Sequence, residues 1–148
     1  MAPTAPGLDA AAARWQAHGM ATSSPDPTRG PALALAALLF GAGALHFVRP
    51  GFFDAIVPRA LPGRARDYTY ASGVAEIGVA AALAVPRTRR LGGRLAAWLF
   101  AAVFPANLQM TVDVLGSEKA STAFKVGTLA RLPLQYPMIA VARKVARG

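Results

Sequence analysis

The sequence predicts an all-α fold: a transmembrane four-helix up-down bundle with a short interfacial segment between helices 1 and 2. Three observations predict it. Apolar residues make up 54% of the 148 residues and charged residues only 16%, whereas soluble domains average roughly 25% charged. A single domain of 15.3 kDa with a mean hydropathy of +0.36 is too small to hide that much apolar surface inside itself. The apolar residues also gather into four runs of near-span length, each carrying at least one polar group. This balance argues against a soluble enzyme and against a disordered chain. With no cysteine, disulfides, thiol catalysis and cysteine-ligated clusters are excluded as well.

Residues 1–30 read as a flexible tail rich in Ala, Pro, Ser and Thr, with Met20 as an alternative start. Residues 31–148 form the membrane domain. Its first span covers about 31–48, opened by Pro31 at a favourable first helical position. The second covers about 68–85 and stops at Pro86; the third covers about 91–110; the fourth covers about 126–142. Each is near the roughly 20 residues that cross a bilayer, the second and fourth being slightly short and interrupted by one charge each. Short connections make the bundle antiparallel. A cleaved signal peptide is the alternative for the first run, since Arg29 precedes it and Ala42-Gly43-Ala44 resembles a cleavage site. The run nevertheless continues through Leu45, Phe47 and Val48.

Net charge is +9, yet no nucleic-acid motif accompanies it, and the basic residues lie between the apolar runs. Nine fall with the termini and the Arg87–Arg94 loop, six with the first and third loops, and Arg131 lies within a span. The positive-inside rule then places both termini in the cytoplasm. The lipid bilayer is the expected partner and nucleic acid is not.

Polar groups inside a bilayer are costly and face the bundle interior or a cavity. With this topology, His46 and Asn107 lie about 4–5 Å below the outer end, Arg131 about 7–8 Å and Glu76 about 12 Å, at 1.5 Å per residue. They share one half of the bundle, and with Gln135 they are the candidate lining of a polar pocket near the outer face. Thr69, Ser72 and Glu76 form one helical stripe; Thr128, Arg131 and Gln135 form another. Pro105, Pro133 and Pro137 loosen the helices beside these groups. The loop from Arg49 to Pro62 is too apolar to be free. Its Phe52, Phe53, Pro58 and Pro62 are candidates for a lid or an interfacial anchor. Simpler readings stand beside these: Glu76 and Arg131 as a buried ion pair, and Asn107 with Gln109 as interhelical hydrogen-bonders. No metal site is expected, because one span histidine and one glutamate lack ligand partners. No phosphate loop or nucleophile elbow is present, so no catalytic residue is assigned, and the reading favours no activity for the chain alone.

Four strings carry a resemblance: Gly43-Ala44-Leu45-His46-Phe47 followed by Pro50, Val57-Pro58 and Leu61-Pro62; Ser72-Gly73-Val74-Ala75-Glu76; Phe104-Pro105-Ala106-Asn107; and Arg131-Leu132-Pro133-Leu134-Gln135. Over residues 32–144 the chain resembles the DoxX-like family of small bacterial four-helix membrane proteins. The name-giving member is a small subunit of an archaeal thiosulfate:quinone oxidoreductase. The resemblance implies an accessory or ligand-binding subunit of the bacterial inner membrane, linked to quinone or redox metabolism. It has no intrinsic cofactor, a quinone is its candidate ligand, and a redox-active protein is its candidate partner. A stand-alone quinone-linked oxidoreductase and a purely structural scaffold are the alternatives.

Overall fold

A computed structural model describes residues 26–58 and 60–148. Most of the tail read at residues 1–30, with Met20, lies outside the described residues. The described chain is helical without strands: α1 (Arg29–Val48), the short α2 (Pro50–Asp54), α3 (Ala65–Ala84), α4 (Arg89–Gly116) and α5 (Thr122–Arg147). Local chemistry sets several of these ends. The Asp26 carboxylate accepts from the Thr28 backbone N–H at 2.9 Å and the Thr28 hydroxyl at 2.6 Å just before α1. These bonds, and then Arg89, hold the Asp26 carboxyl below the usual carboxylate range. Helix α3 ends one residue before Val85-Pro86, because proline disfavours helical geometry in the residue ahead of it. The Ser121 hydroxyl caps α5 by accepting from the Phe124 N–H at 3.3 Å.

The four long helices run up, down, up, down. Around the bundle the order is α1, α3, α4, α5, with α5 closing against α1, so that α3 and α5 stand on a diagonal. Glycines allow the close crossings. A Cβ at Gly43 would lie 2.9 Å from the Gly73 carbonyl oxygen, one at Gly92 would lie 2.6 Å from the Leu83 backbone nitrogen, and one at Gly93 would lie 2.6 Å from the Ala146 nitrogen. Helix backbones touch there, as small residues permit between membrane helices.

The interior divides into two halves. One end is an apolar core of Leu35 and Leu39 from α1, Val79 and Leu83 from α3, Phe100 from α4, and Ala142 and Val145 from α5. The other end buries His46, Thr69, Glu76, Asn107, Thr111, Thr128 and Gln135. The outer surface is apolar along much of its length: Leu38, Phe40, Val74, Trp98, Val112, Val126, Leu134 and Tyr136 are all exposed.

Two of the helices, α1 and α4, are long and apolar enough to cross a membrane, where four spans were expected. Helix α3 carries Arg66, Asp67 and Glu76, and α5 carries Lys125, Arg131, Arg143, Lys144 and Arg147. These charges and the polar residues beside them separate α3 and α5 from the other pair. The helices also overrun the expected limits: α4 reaches Gly116, past the expected end at 110, and α5 runs from Thr122 to Arg147 rather than from 126 to 142. The three prolines, Pro105, Pro133 and Pro137, are accommodated inside continuous helices.

Candidate functional site

At the polar end the bundle forms a partly open cavity of about 180 Å³. Helix α1 contributes His46 from its last turn. The segment after α1 contributes Phe53, Ile56, Val57, Pro58 and Leu61; α3 contributes Tyr68, Thr69, Ser72 and Glu76; α4 contributes Ala102, Val103, Ala106 and Asn107; and α5 contributes Arg131. His46, Glu76, Asn107 and Arg131 thus meet on one cavity, whereas Gln135 stands behind its wall.

His46 and Glu76 are both buried. The His46 Nδ1 is 2.8 Å from the Ala42 carbonyl oxygen. A carbonyl only accepts, so Nδ1 carries the hydrogen and donates it there. Glu76 Oε2 lies 3.4 Å from the same nitrogen, whose hydrogen is already committed, and this buried oxygen has no hydrogen-bond partner. Buried polar atoms are nearly always satisfied, and leaving one unmade costs about 1–3 kcal/mol. Glu76 thus lines the cavity while its Oε2 is a buried carboxyl oxygen without a hydrogen-bond partner.

Arg131 does not form the ion pair with Glu76 that similar depth suggested. No carboxylate among the described residues lies within 4.0 Å of it. Depth fixes height only, and α3 and α5 face each other across the diagonal. The guanidinium remains exposed at the cavity's margin.

Asn107 and Gln135 join α4 to α5. The Asn107 Nδ2 donates to Gln135 Oε1 at 3.0 Å, and Gln135 Nε2 donates to the Phe100 carbonyl oxygen. One turn on, the Thr111 hydroxyl reaches the Asn107 carbonyl at 2.9 Å and that of Thr128 at 3.3 Å. Gln109, by contrast, points along its own helix and donates to Asp113 Oδ1 at 2.9 Å.

The segment from α2 onward covers the cavity. The Phe53 ring stacks on His46 with centroids 3.7 Å apart and planes 24° apart. Phe52 meets Phe53 edge-on at 5.3 Å and Phe124 at 6.2 Å. Pro58 lines the cavity, while Pro62 lies beside it, its carbonyl accepting from the Tyr68 hydroxyl at 2.7 Å. Sequence reasoning missed what fastens this cover. Asp54 accepts from Arg66 Nε at 2.8 Å and from the Thr69 hydroxyl at 2.7 Å. Those hydrogen bonds, Arg66 first and Thr69 next, hold the Asp54 carboxyl below the usual range. The signal was present: Asp54 is the only acid between Arg49 and Pro62.

At the far end Arg89 is buried and pairs with Asp26, joining the start of α1 to the start of α4. Among the described residues no group of three or more His, Asp or Glu could hold a metal ion.

No curated protein and no solved structure matches the chain. The resemblance to the DoxX-like family is corrected by the comparison that does match, because the family found is a different one. The quoted strings place small residues, a histidine, a glutamate and two amides along a polar bundle interior, a pattern that close helix packing produces without common family membership. Residues 35–146 match a domain of unknown function (DUF8561), and the chain belongs to that family.

Proposed function

We propose that the chain is a multi-pass protein of the bacterial inner membrane, a four-span bundle with both termini cytoplasmic, whose outer-end cavity binds the single-ring polar headgroup of a small apolar ligand. A quinol best fits this description. The observation that carries the reading is Glu76, a residue lining a cavity of about 180 Å³ whose buried Oε2 has no hydrogen-bond partner. An acceptor without a donor suits a hydroxyl-bearing ligand. A dry cavity of ~150 Å³ holds one benzene ring, so this space admits one ring and its substituents. Phe53, Tyr68 and Val103 supply apolar wall, and Arg131 supplies a donor at the margin. The chain's part is to bind and orient; a redox-active protein partner supplies any chemistry on the ring.

The membrane reading draws on the inverted character of the bundle, polar inside one half and apolar over its outer surface. Only 33% and 28% of the most apolar stretches of α1 and α4 are buried within the fold, unlike the core helix of a soluble protein. The orientation follows from charge: the end bearing Arg87, Arg89, Arg90, Arg94, Arg143, Lys144 and Arg147 is the more basic. A cysteine at Ser117 is expected to react with an impermeant thiol reagent in intact cells, and one at Thr88 to stay unlabelled; the reverse pattern refutes the orientation.

Glu76→Leu tests the binding. Removing an unpartnered buried oxygen leaves stability unchanged or raises it, so the purified variant in detergent melts no earlier than the wild type. A short-chain benzoquinol raises the melting temperature of the wild type by linkage and leaves that of the variant unmoved. If the variant melts lower and the quinol shifts neither protein, Glu76 is part of the fold and the ligand reading fails.

A further inference from the structure

The end of the bundle away from the cavity carries a second concavity. Between the start of α4 and the end of α5 lies a groove of about 620 Å³. It is lined by Arg90 and Arg94 from α4, by Arg143 and Arg147 from α5, and by apolar residues that include Trp98 and Ile139. The antiparallel crossing at Gly93 brings the two helices together here and so sets the four arginines on one site. All four are exposed. Among the described residues none pairs with an Asp or Glu carboxylate within 4.0 Å, and the Arg90 guanidinium packs against Gly148. Trp98 is 76% exposed.

We propose that this groove binds an anionic bilayer phospholipid, its headgroup phosphate among the arginines and an acyl chain along Ile139 and Trp98. The inference rests on the membrane reading. Three features point to this occupant. Guanidinium groups suit phosphate oxygens through paired N–H donors. An apolar lining beside the four arginines has the polarity of a phospholipid and not of a free anion. The groove also lies at the more basic end, which the positive-inside rule turns toward the anionic cytoplasmic leaflet.

The full chain carrying Trp15→Phe retains Trp98 as its sole indole, because the sequence has two tryptophans. This protein is reconstituted into phosphatidylcholine vesicles containing brominated lipid, which quenches indole fluorescence on contact. Brominated phosphatidylglycerol is expected to quench Trp98 with a several-fold higher apparent affinity than brominated phosphatidylcholine. Arg94→Gln and Arg143→Gln each lower that preference about fivefold, the fold-change equivalent of ~1 kcal/mol for each basic residue at an anionic surface. Arg64→Gln, at the other end, leaves it unchanged, and Arg94→Lys retains part of it. Equal quenching by the two lipids in the wild type overturns the proposal while leaving the membrane reading intact. Loss of the preference in millimolar inorganic phosphate at constant ionic strength also overturns it, since the site then takes a free anion. Absence of quenching by either lipid removes the membrane reading, and the groove proposal with it.

Discussion

Two polar contacts lie at similar depth in the bundle, one between α1 and α3 and the other between α4 and α5, and they differ in completeness. Between α4 and α5, Asn107 donates to Gln135, and Gln135 donates to the Phe100 carbonyl, so the two amides satisfy each other and the backbone. Between α1 and α3, His46 gives its hydrogen to Ala42 in its own helix, and Glu76 Oε2 is left without a donor. A closed network holds helices together and has nothing to offer a ligand. An open one costs stability at rest and has an acceptor to give. The amide pair is therefore a lock, whereas the His46–Glu76 contact leaves one buried oxygen unsatisfied.

Gln135→Leu tests the lock and carries the largest expected effect. It strands the Asn107 amide, which is 4% exposed, and it removes the donor to Phe100. The loss is about 1–3 kcal/mol, read by reversible unfolding in mixed micelles. Adding Asn107→Leu returns part of that loss, because removing both partners of a buried hydrogen bond is nearly neutral. Simple addition of two losses breaks the comparison, since each amide would then act independently. Beside it, Glu76→Leu moves stability in the other direction or not at all. The opposite signs of the two leucine variants are the sharpest form of the contrast.

This contrast sets the limit of what the sequence makes legible. Four helices follow from four apolar runs, and the close approach at Gly43 and at Gly92-Gly93 follows from residues too small to keep backbones apart. The gathering of His46, Glu76, Asn107 and Arg131 on one cavity follows from depth, which is rise per residue multiplied by position. Depth says nothing of angle around the bundle. It therefore suggested a contact between Glu76 and Arg131, which the diagonal placement of α3 and α5 prevents. It likewise could not separate Gln135, behind the wall, from Asn107, on it. Hydropathy of a whole helix is also a blunt guide. Helices α3 and α5 carry the charges of Glu76 and Arg131 in mid-helix beside other polar groups, while Val74, Val126, Leu134 and Tyr136 face outward. The family assignment was not legible from short strings that helix packing alone can generate.

The smallest expected effect concerns the cover over the open contact. Phe53 reaches His46 only because α2 is held against the start of α3, and Asp54 makes that attachment through Arg66 and Thr69. Because the folded protein holds the Asp54 carboxyl below its unfolded value, the attachment is complete above the ordinary aspartate pKa of about 3.9. It fades as pH falls through the lower folded value. A nitroxide on a cysteine at Ala60, the only thiol in a chain without cysteine, reports the motion of this segment. Its mobility is expected to be flat from neutral pH down to about 4 and to rise below that. Asp54→Asn raises mobility across the whole range, because the amide cannot carry the charge that Arg66 faces. Asp67→Asn serves as the control: its pairing with Arg64 at 3.0 Å is exposed and touches nothing over the cavity, so it leaves the probe unchanged. A wild-type probe that loosens between pH 7 and pH 5, or an Asp54→Asn protein with wild-type mobility, would mean that the cover is held by its aromatic contacts alone. The closed state of the cavity would then depend on Phe53 and Phe52 rather than on charge.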